Sequence, residues 1–443
     1  MKDPTHNQDR ATSAWIETYY DLHSESEWQR LERHRTEYAI TERALLEHLP
    51  PPPAAVLDCG GGPGRYAIAL AQRGYQVTLF DLSVQNLEQA RRQAAQAGQQ
   101  LAAYEQGTAT DLSRFPADAF DAVLLMGPLY HLLRERDRRQ ALQQAYRVLK
   151  PGGPLFAAFL TRYAVARFCA AHEPCWPLQE PEMWQSTLEA GILPPRGEHA
   201  SAFVAYGALP GEVPPLLRDA GFDLVSLLGV EGLVSMIEDP INTLDGPAWE
   251  LWSDLNYRVA ADPSLHGAVE HLLAIAVKPR WHAVMRALAQ RLRAAGIAFQ
   301  VVGGAAIALH GVPVPVDDID LEMPVPDVYR FQELYAAHAI QPASLSESDT
   351  YRSHFGRYTV DHVQFEVMGD LHRREGDRWV PGYATTEAEI DVEGIPCCVS
   401  WLEEETLAYI RRGRLDRAAR CLPHCDHDRL TQLLRAEIQL HVL

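Results

Sequence analysis

The chain has 443 residues and a formal net charge of -19 at pH 7, long enough for two or three domains with separate cores. That acidic balance argues against a phosphate-backbone partner, which needs a basic footprint, and neither an apolar signal region nor an apolar run of membrane-spanning length is present. Its seven cysteines form no paired framework, which suits a reducing, cytoplasmic setting.

Residues 1 to about 12 read as disordered. Trp15 to His48 is patterned as helix, with Tyr19, Tyr20, Trp28 and Leu31 as its aromatic or apolar points. Pro50 to Pro53 is a stiff break. Next comes Val56-Leu-Asp-Cys-Gly-Gly-Gly-Pro-Gly-Arg65. An apolar run ends at Asp58, Gly60, Gly62 and Gly64 alternate through a turn, and a helical pattern runs from Tyr66 to Arg73. Glycines let the backbone turn sharply and pass close to a ligand, and amides at the helix start face the same crevice. The segment predicts a nucleoside-type cofactor site at the end of a parallel strand. A dinucleotide fingerprint needs another glycine at position 65, which is Arg65, so a pyrophosphate ligand is disfavoured. Gln76 to Phe80 reads as a second strand ending in Asp81-Leu82-Ser83, where an acid can accept hydrogen bonds from both ribose hydroxyls.

The spacing Asp58, Gly60, Gly62, Gly64 resembles the first motif of class I S-adenosylmethionine (SAM) methyltransferases. Gly107-Thr-Ala-Thr-Asp111-Leu112 resembles that family's adenine-edge segment, which implies that Asp111 accepts from the adenine amino group and Leu112 packs on the ring. Phe120 to Leu132, with Met126, resembles the fourth strand and its following loop, and Arg147 to Gly153 closes the pattern. Asp223–Gly229 and His271–Lys278 look like the sixth and seventh strands. The resemblance implies an α/β, Rossmann-like seven-stranded domain with a helical cap over residues 1–279: an N-terminal lid at 13–50, a core at 54–160, and cap insertions at 161–210 and 230–268. The implied SAM shell is Tyr20, Asp58, Gly60, Gly62, Gly64, Asp81, Leu82, Asp111, Leu112 and Met126.

Methyl transfer from SAM needs alignment and, for some acceptors, a base. Tyr130 and His131 follow the fourth strand, where the methyl group emerges in this fold. His131 reads either as a base near neutral pH or as a histidine packing beside the cofactor, and Tyr130 as lining the pocket or reacting. His199, Tyr206 and Glu231 are further candidate substrate contacts or ordinary cap residues. Cys421, His424, Cys425 and His427 are close in sequence, but no second half with zinc-ligand spacing accompanies them.

From about residue 280 to 443 a second, smaller α/β domain is expected. Phe299-Gln-Val-Val-Gly303-Gly304 precedes a helical pattern, and Asp318-Ile-Asp320 sits in an alternating strand, so both carboxylates face one side. This resembles the nucleotidyltransferase fold of the polymerase-β superfamily. The resemblance implies nucleotide contacts from Gly303 and Gly304, and Mg2+ with a nucleoside triphosphate held by Asp318, Asp320 and, on a later strand, Glu366. Val312 to Val316 stands where members often carry Arg and Thr or Ser.

Three functions follow. The first is a SAM methyltransferase for a small-molecule acceptor, fused to a domain that transfers a nucleotidyl group from MgNTP. In the second, the C-terminal domain is a non-catalytic binding or homodimerisation module. The third is an RNA-modifying methyltransferase, which the acidic charge disfavours.

Overall fold

The computed structural model describes residues 4–193, 203–312, 314, 316–381, 387–392 and 394–442. The chain divides into two compact units, Met1–Lys278 and Pro279–Leu443.

Unit 1 opens with helices α1 (Pro4–Arg33) and α2 (Arg35–His48). The expected disorder up to residue 12 gives way to helix from Pro4, a proline suited to a first helical turn. Strands and helices then alternate: β1 (Ala55–Cys59), α3 (Arg65–Gln72), β2 (Gln76–Asp81), α4 (Val84–Gln96), β3 (Ala103–Gln106), β4 (Ala122–Leu125), α5 (Pro128–His131), α6 (Glu135–Val148) and β5 (Pro154–Thr161). The first insertion holds α7 (Ala164–His172), α8 (Trp176–Gln179), α9 (Pro181–Ala190), β6 (Ile192–Leu193) and β7 (Ala205–Ala208). It is followed by α10 (Val213–Asp219) and β8 (Asp223–Gly229). A second insertion carries α11 (Asp239–Asn242), α12 (Gly246–Val259) and α13 (Pro263–His266) before β9 (His271–Val277).

The sheet runs β3-β2-β1-β4-β5, with β9 antiparallel to β5 and β8 antiparallel to β9. These are the seven expected strands. The sheet nevertheless has nine, because the first insertion is not purely helical. Its β7 pairs with Leu160 and Thr161 at the end of β5, and β6 pairs with β7. The added strands satisfy backbone groups that would otherwise form an open edge. The core strands are apolar along their length, as expected for parallel strands covered on both faces. Leu57, Val123 and Leu155 pack on one side; Val56, Leu124 and Phe156 pack on the other.

Unit 2 contains α14 (Trp281–Ala294), β10 (Gln300–Val302), α15 (Gly303–Leu309), β11 (Asp318–Glu322) and α16 (Val325–Leu334). A run of strands follows: β12 (Ala339–Glu347), β13 (Tyr351–Val360), β14 (Val363–Glu375), β15 (Arg378–Pro381), β16 (Glu387–Val392) and β17 (Ile395–Ser400). It ends with α17 (Leu402–Arg411), α18 (Leu415–Cys421) and α19 (His427–Val442). The strand order is β12-β13-β14-β11-β10-β17-β16, with β15 on β14. β11 and β14 are parallel, with Asp320 opposite Glu366. Among the described residues, no helix is long and apolar enough to cross a membrane.

Candidate active site

In unit 1 a cleft of about 160 Å³ opens at the carboxyl ends of β1, β2 and β4. Asp58, next to last in β1, is 1% exposed. Neither of its carboxylate oxygens has a hydrogen-bond partner. Burial, then the charge of Asp81, push its pKa up to about 7, with the nearby Ala67 amide opposing. The glycine turn makes this placement possible. Gly60, Gly62 and Gly64 have φ of +73°, +56° and +83°, and a Cβ on Gly61 would lie 2.4 Å from the Asp58 Cγ. Asp81, at the end of β2, is held by N–H donors from Gly62 (2.8 Å) and Ser83 (2.9 Å) and by the Asn86 amide (3.2 Å). Burial still raises its pKa.

Helix α1 covers this cleft through polar contacts. The Ser83 hydroxyl donates to Asp21 (2.5 Å), the Gln89 amide donates to Glu25 (2.9 Å), and Arg65 pairs with Glu32 (3.1 Å). Tyr20 reaches His131 at 2.5 Å. The His131 Nδ1 lies 2.8 Å from the Val204 carbonyl, which only accepts, so Nδ1 carries the proton and Nε2 receives the Tyr20 hydroxyl. Burial lowers the His131 pKa to about 4 against the Val204 contact.

A second cleft in unit 1, of about 740 Å³, meets the first at Tyr20, Glu27, Arg30 and Tyr130. Aromatic side chains including Tyr19, Phe168, Trp176 and Phe203 wall it. Arg30 makes two bonds to Glu37, at 2.7 and 2.8 Å. The Arg30 charge pulls Glu37 down to about 2, although burial alone would raise it. The His271 Nδ1 sits 2.7 Å from Glu231. Burial lowers the His271 pKa, but Glu37 and then Glu231 outweigh it and hold the ring at about 9. Glu37, Glu231 and His271 lie within metal-ligating distance of one another. Arg30 already occupies Glu37, and the Glu270 and His271 amides each donate to Glu231 at 3.1 Å, so the group is a satisfied ion network.

In unit 2 a cleft of about 620 Å³ lies at the ends of β10, β11 and β14. Asp318, Asp320 and Glu366 bring one oxygen each within 4.8 Å of the others. Burial, then Asp318 and Glu366, push Asp320 up to about 7; burial, then Glu366, also raise Asp318. Arg357 pairs with Glu366 at 2.7 Å. Gly303 and Gly304 line the same cleft. Gly303 has φ +69°, and a Cβ there would lie 2.5 Å from the Asp320 Oδ2. The Gly303 N–H donates to Glu405 at 2.9 Å. Arg412 and Arg414 reach the cleft from the turn after α17, and Arg417 from α18.

Residues 56–153 match a methyltransferase domain family. The ubiquinone biosynthesis O-methyltransferase of Xanthomonas axonopodis pv. citri is 31% identical over 182 residues, covering 41% of this chain and 68% of that protein. The chain belongs to the SAM-dependent methyltransferases. The tRNA 5-carboxymethoxyuridine methyltransferase of Escherichia coli (strain K12) is 33% identical over 145 residues, covering 31% of this chain, and the chain spans about half of its length, 48%. A Thermotoga maritima candidate nucleotidyltransferase structure shows 28% identity, covering 32% of this chain and 90% of that one, with a TM-score of 0.29.

The methyltransferase's first cleft fits SAM on its own chemistry. SAM brings an ammonium that the orphaned Asp58 carboxylate lacks as a partner. Asp81 offers acceptor capacity for a diol, since a carboxylate has about four lone-pair sites. Tyr20, Asp58, Gly60, Gly62, Asp81, Leu82, Met126, Tyr130 and His131 all line this cleft. Gly64 instead caps α3, with its Cα facing Ala90.

Other expected site residues lie elsewhere. Asp111 is exposed and accepts from the Ser113 N–H at 3.0 Å, forming a local turn. Leu112 is fully buried in the apolar core. Thr108 and Ala109 take the cleft-lining positions; their small side chains gave no sequence signal. His131 lines the first cleft and is absent from the second. Its Nε2 lone pair accepts from Tyr20, and burial holds its pKa down to about 4. Tyr206 donates to Glu212 at 2.7 Å beside a separate hollow, and Glu231 is buried against His271. No described residue of the 230–268 insertion lines either cleft. That insertion holds cleft-lining histidines from behind, Glu231 on His271 and Glu238 on His34, and braces α2 through Arg43–Asp254 and Tyr257–Glu47 contacts. His199, Pro313 and Pro315 lie outside the described residues. Cys421 and Cys425 are buried thiols in an apolar cluster, and among the described residues they belong to no ligand group.

Proposed function

We propose that unit 1 methylates a small molecule seated in the aromatic-walled cleft. The observation that carries this reading is the junction of the two clefts at Tyr20, Glu27, Arg30 and Tyr130, which lets an acceptor meet the methyl group while α1 excludes water. SAM supplies an electrophilic methyl on a positively charged sulfur. Asp58 holds the ammonium, Asp81 the ribose hydroxyls, and Gly107 to Ala109 flank the base. Tyr20 and Tyr130, whose phenols burial keeps protonated, shape the crossing point and align the acceptor. Calorimetric titration with SAM and S-adenosylhomocysteine tests the cofactor site; absent binding refutes it. The tRNA-modifying relative favours RNA as a second acceptor class. An electrophoretic shift with bulk tRNA at low salt tests that, and the charge of -19 predicts none.

For unit 2 the proposal is nucleotidyl transfer from MgNTP. Asp318, Asp320 and Glu366 would hold the divalent cation, which neutralises triphosphate charge when bound. Three converging carboxylates, two of them with raised pKa, are a donor set that a hard cation relieves. Arg412, Arg414 and Arg417 provide the positive charge that Val312 to Val316 lacks. Titration with each Mg-nucleoside triphosphate tests this. Failure of every triphosphate to bind would leave unit 2 as a non-catalytic module.

A further inference from the structure

The acceptor cleft has a charge balance that composition hides. Three basic side chains reach it, and each already pairs with a carboxylate outside its lining: Arg30 with Glu37, His271 with Glu231, and His34 with Glu238. Glu173, on an exposed position, also lines the cleft, as do Glu27 and Glu270. Glu27 has only the edge of Arg30, at 3.7 Å, and that guanidinium is committed to Glu37. Glu27 and Glu270 are both half-buried. With the basic groups paired elsewhere, the cleft presents an excess of carboxylates inside a wall of aromatic rings, whose faces are themselves electronegative.

We propose that the methyl acceptor is a small organic amine that enters as a cation, held by Glu27 and Glu270 and by the faces of rings such as Phe168 and Trp176. This rests on the methyl-transfer reading of unit 1 and narrows its substrate class. A carboxylate or phosphate acceptor would meet Glu27 and Glu270 head-on. A neutral phenol would leave Glu270 without a directly bound cation and Glu27 with only a shared edge of Arg30, both half-buried. Burial raises the pKa of Glu27 and of Glu270, the strain that a bound cation removes. Glu27 stands at the junction with the SAM cleft, so it is placed to take the proton. The ammonium gives that proton to Glu27, the nitrogen lone pair bonds to the methyl carbon, and the carbon–sulfur bond breaks with its electron pair on sulfur. The methylated nitrogen carries the positive charge away.

The test is calorimetry on the full chain saturated with S-adenosylhomocysteine. The probes are 2-phenylethylamine, tryptamine and trimethylphenylammonium, set against 2-phenylethanol and 3-phenylpropionate. The cations should bind at least about tenfold more tightly than the alcohol, with the acid weakest. Glu270→Gln should reduce amine affinity about tenfold and leave S-adenosylhomocysteine affinity unchanged, because Glu270 does not line the cofactor cleft. Phe168→Leu, on an exposed position, should weaken trimethylphenylammonium about fivefold without a folding risk. No preference for cations, including no binding by any probe, overturns the proposal, as does an acid that binds best or a Glu270→Gln variant that behaves as the parent. If S-adenosylhomocysteine itself fails to bind, the methyltransferase site is what falls.

Discussion

Asp58 in unit 1 and Asp320 in unit 2 are both pushed up to about 7, and burial is the largest cause for each. Their surroundings nevertheless differ. Asp58 has a single charged neighbour, Asp81, whose oxygens are already committed to Gly62, Ser83 and Asn86. Asp320 stands among Asp318, Glu366 and Glu405, with Arg412 opposing them only in part. One lone buried carboxylate is shaped to receive one ammonium. A group of converging carboxylates repels itself until something of higher charge arrives. Equal shifts therefore encode different ligands, and the neighbours rather than the shift say which.

The sharpest break of this comparison is Asp318→Ala/Asp320→Ala. Saturable MgATP binding should fall by about a hundredfold or more, since the metal's charge stabilisation is worth several kcal/mol. SAM affinity should not change, and calorimetry with both ligands reads both arms. An unchanged MgATP isotherm would remove the metal role of the triad.

Next in size is Asp58→Asn. Losing a charge-assisted bond of roughly 1.5–3 kcal/mol lowers SAM affinity about 10- to 150-fold. Stability should move the other way. The folded state holds the Asp58 proton up to about 7, whereas the unfolded chain releases it near 4 (roughly). The destabilisation is thus absent below the unfolded pKa, grows as pH rises, and is complete above the folded pKa. Asp58→Asn should raise the Tm of the ligand-free protein at pH 8 and leave it unchanged at pH 3.5. SAM affinity of the parent should rise with pH through about 7. A Tm that falls at pH 8 would show Asp58 to be a structural group.

Gly303→Ala probes the other half. Its Cβ would press on the Asp320 carboxylate at 2.5 Å with φ at +69°. Left-handed backbone and the clash together cost about 1–3 kcal/mol, and MgATP affinity should drop about tenfold, the same scale of energy. Parent-like binding would place the nucleotide away from this turn.

The comparison also explains what was legible in sequence. Asp58, the glycine turn and Asp81 lie within a few residues of strand ends, and the chain's local order fixes their geometry. Asp318 and Asp320 share a strand face for the same reason, and Glu366 joins them through the parallel register of β11 and β14. Asp111 misled because the turn after β3 brings residues 107–109 to the cleft and leaves the acid to cap its own loop. The arginines of unit 2 come from a turn and a helix some way along the chain, and the Arg30–Glu37 and His271–Glu231 pairs depend on which elements pack together. Such pairings decide the charge of a pocket, and no spacing rule announces them.

The smallest effect expected is in Tyr20→Phe, and it separates a latch from a base. The Tyr20 hydroxyl donates to His131 Nε2 across α1 and α5. Removing it leaves a buried nitrogen unpaired, a cost of about 1 kcal/mol or more. Opening α1 restores water to that nitrogen, so the closed state loses the difference and SAM affinity falls about fivefold. If the bond itself is what matters, His131→Ala should have a similar effect, and the double variant should cost little more than either single one, a coupling that a double-mutant cycle measures directly. The same cycle run on the rate of methyl transfer distinguishes the roles. A latch slows turnover through SAM retention and leaves its pH profile in place. A base would shift the acidic limb of that profile in His131→Ala and leave Tyr20→Phe near the parent, which would return His131 to the chemistry.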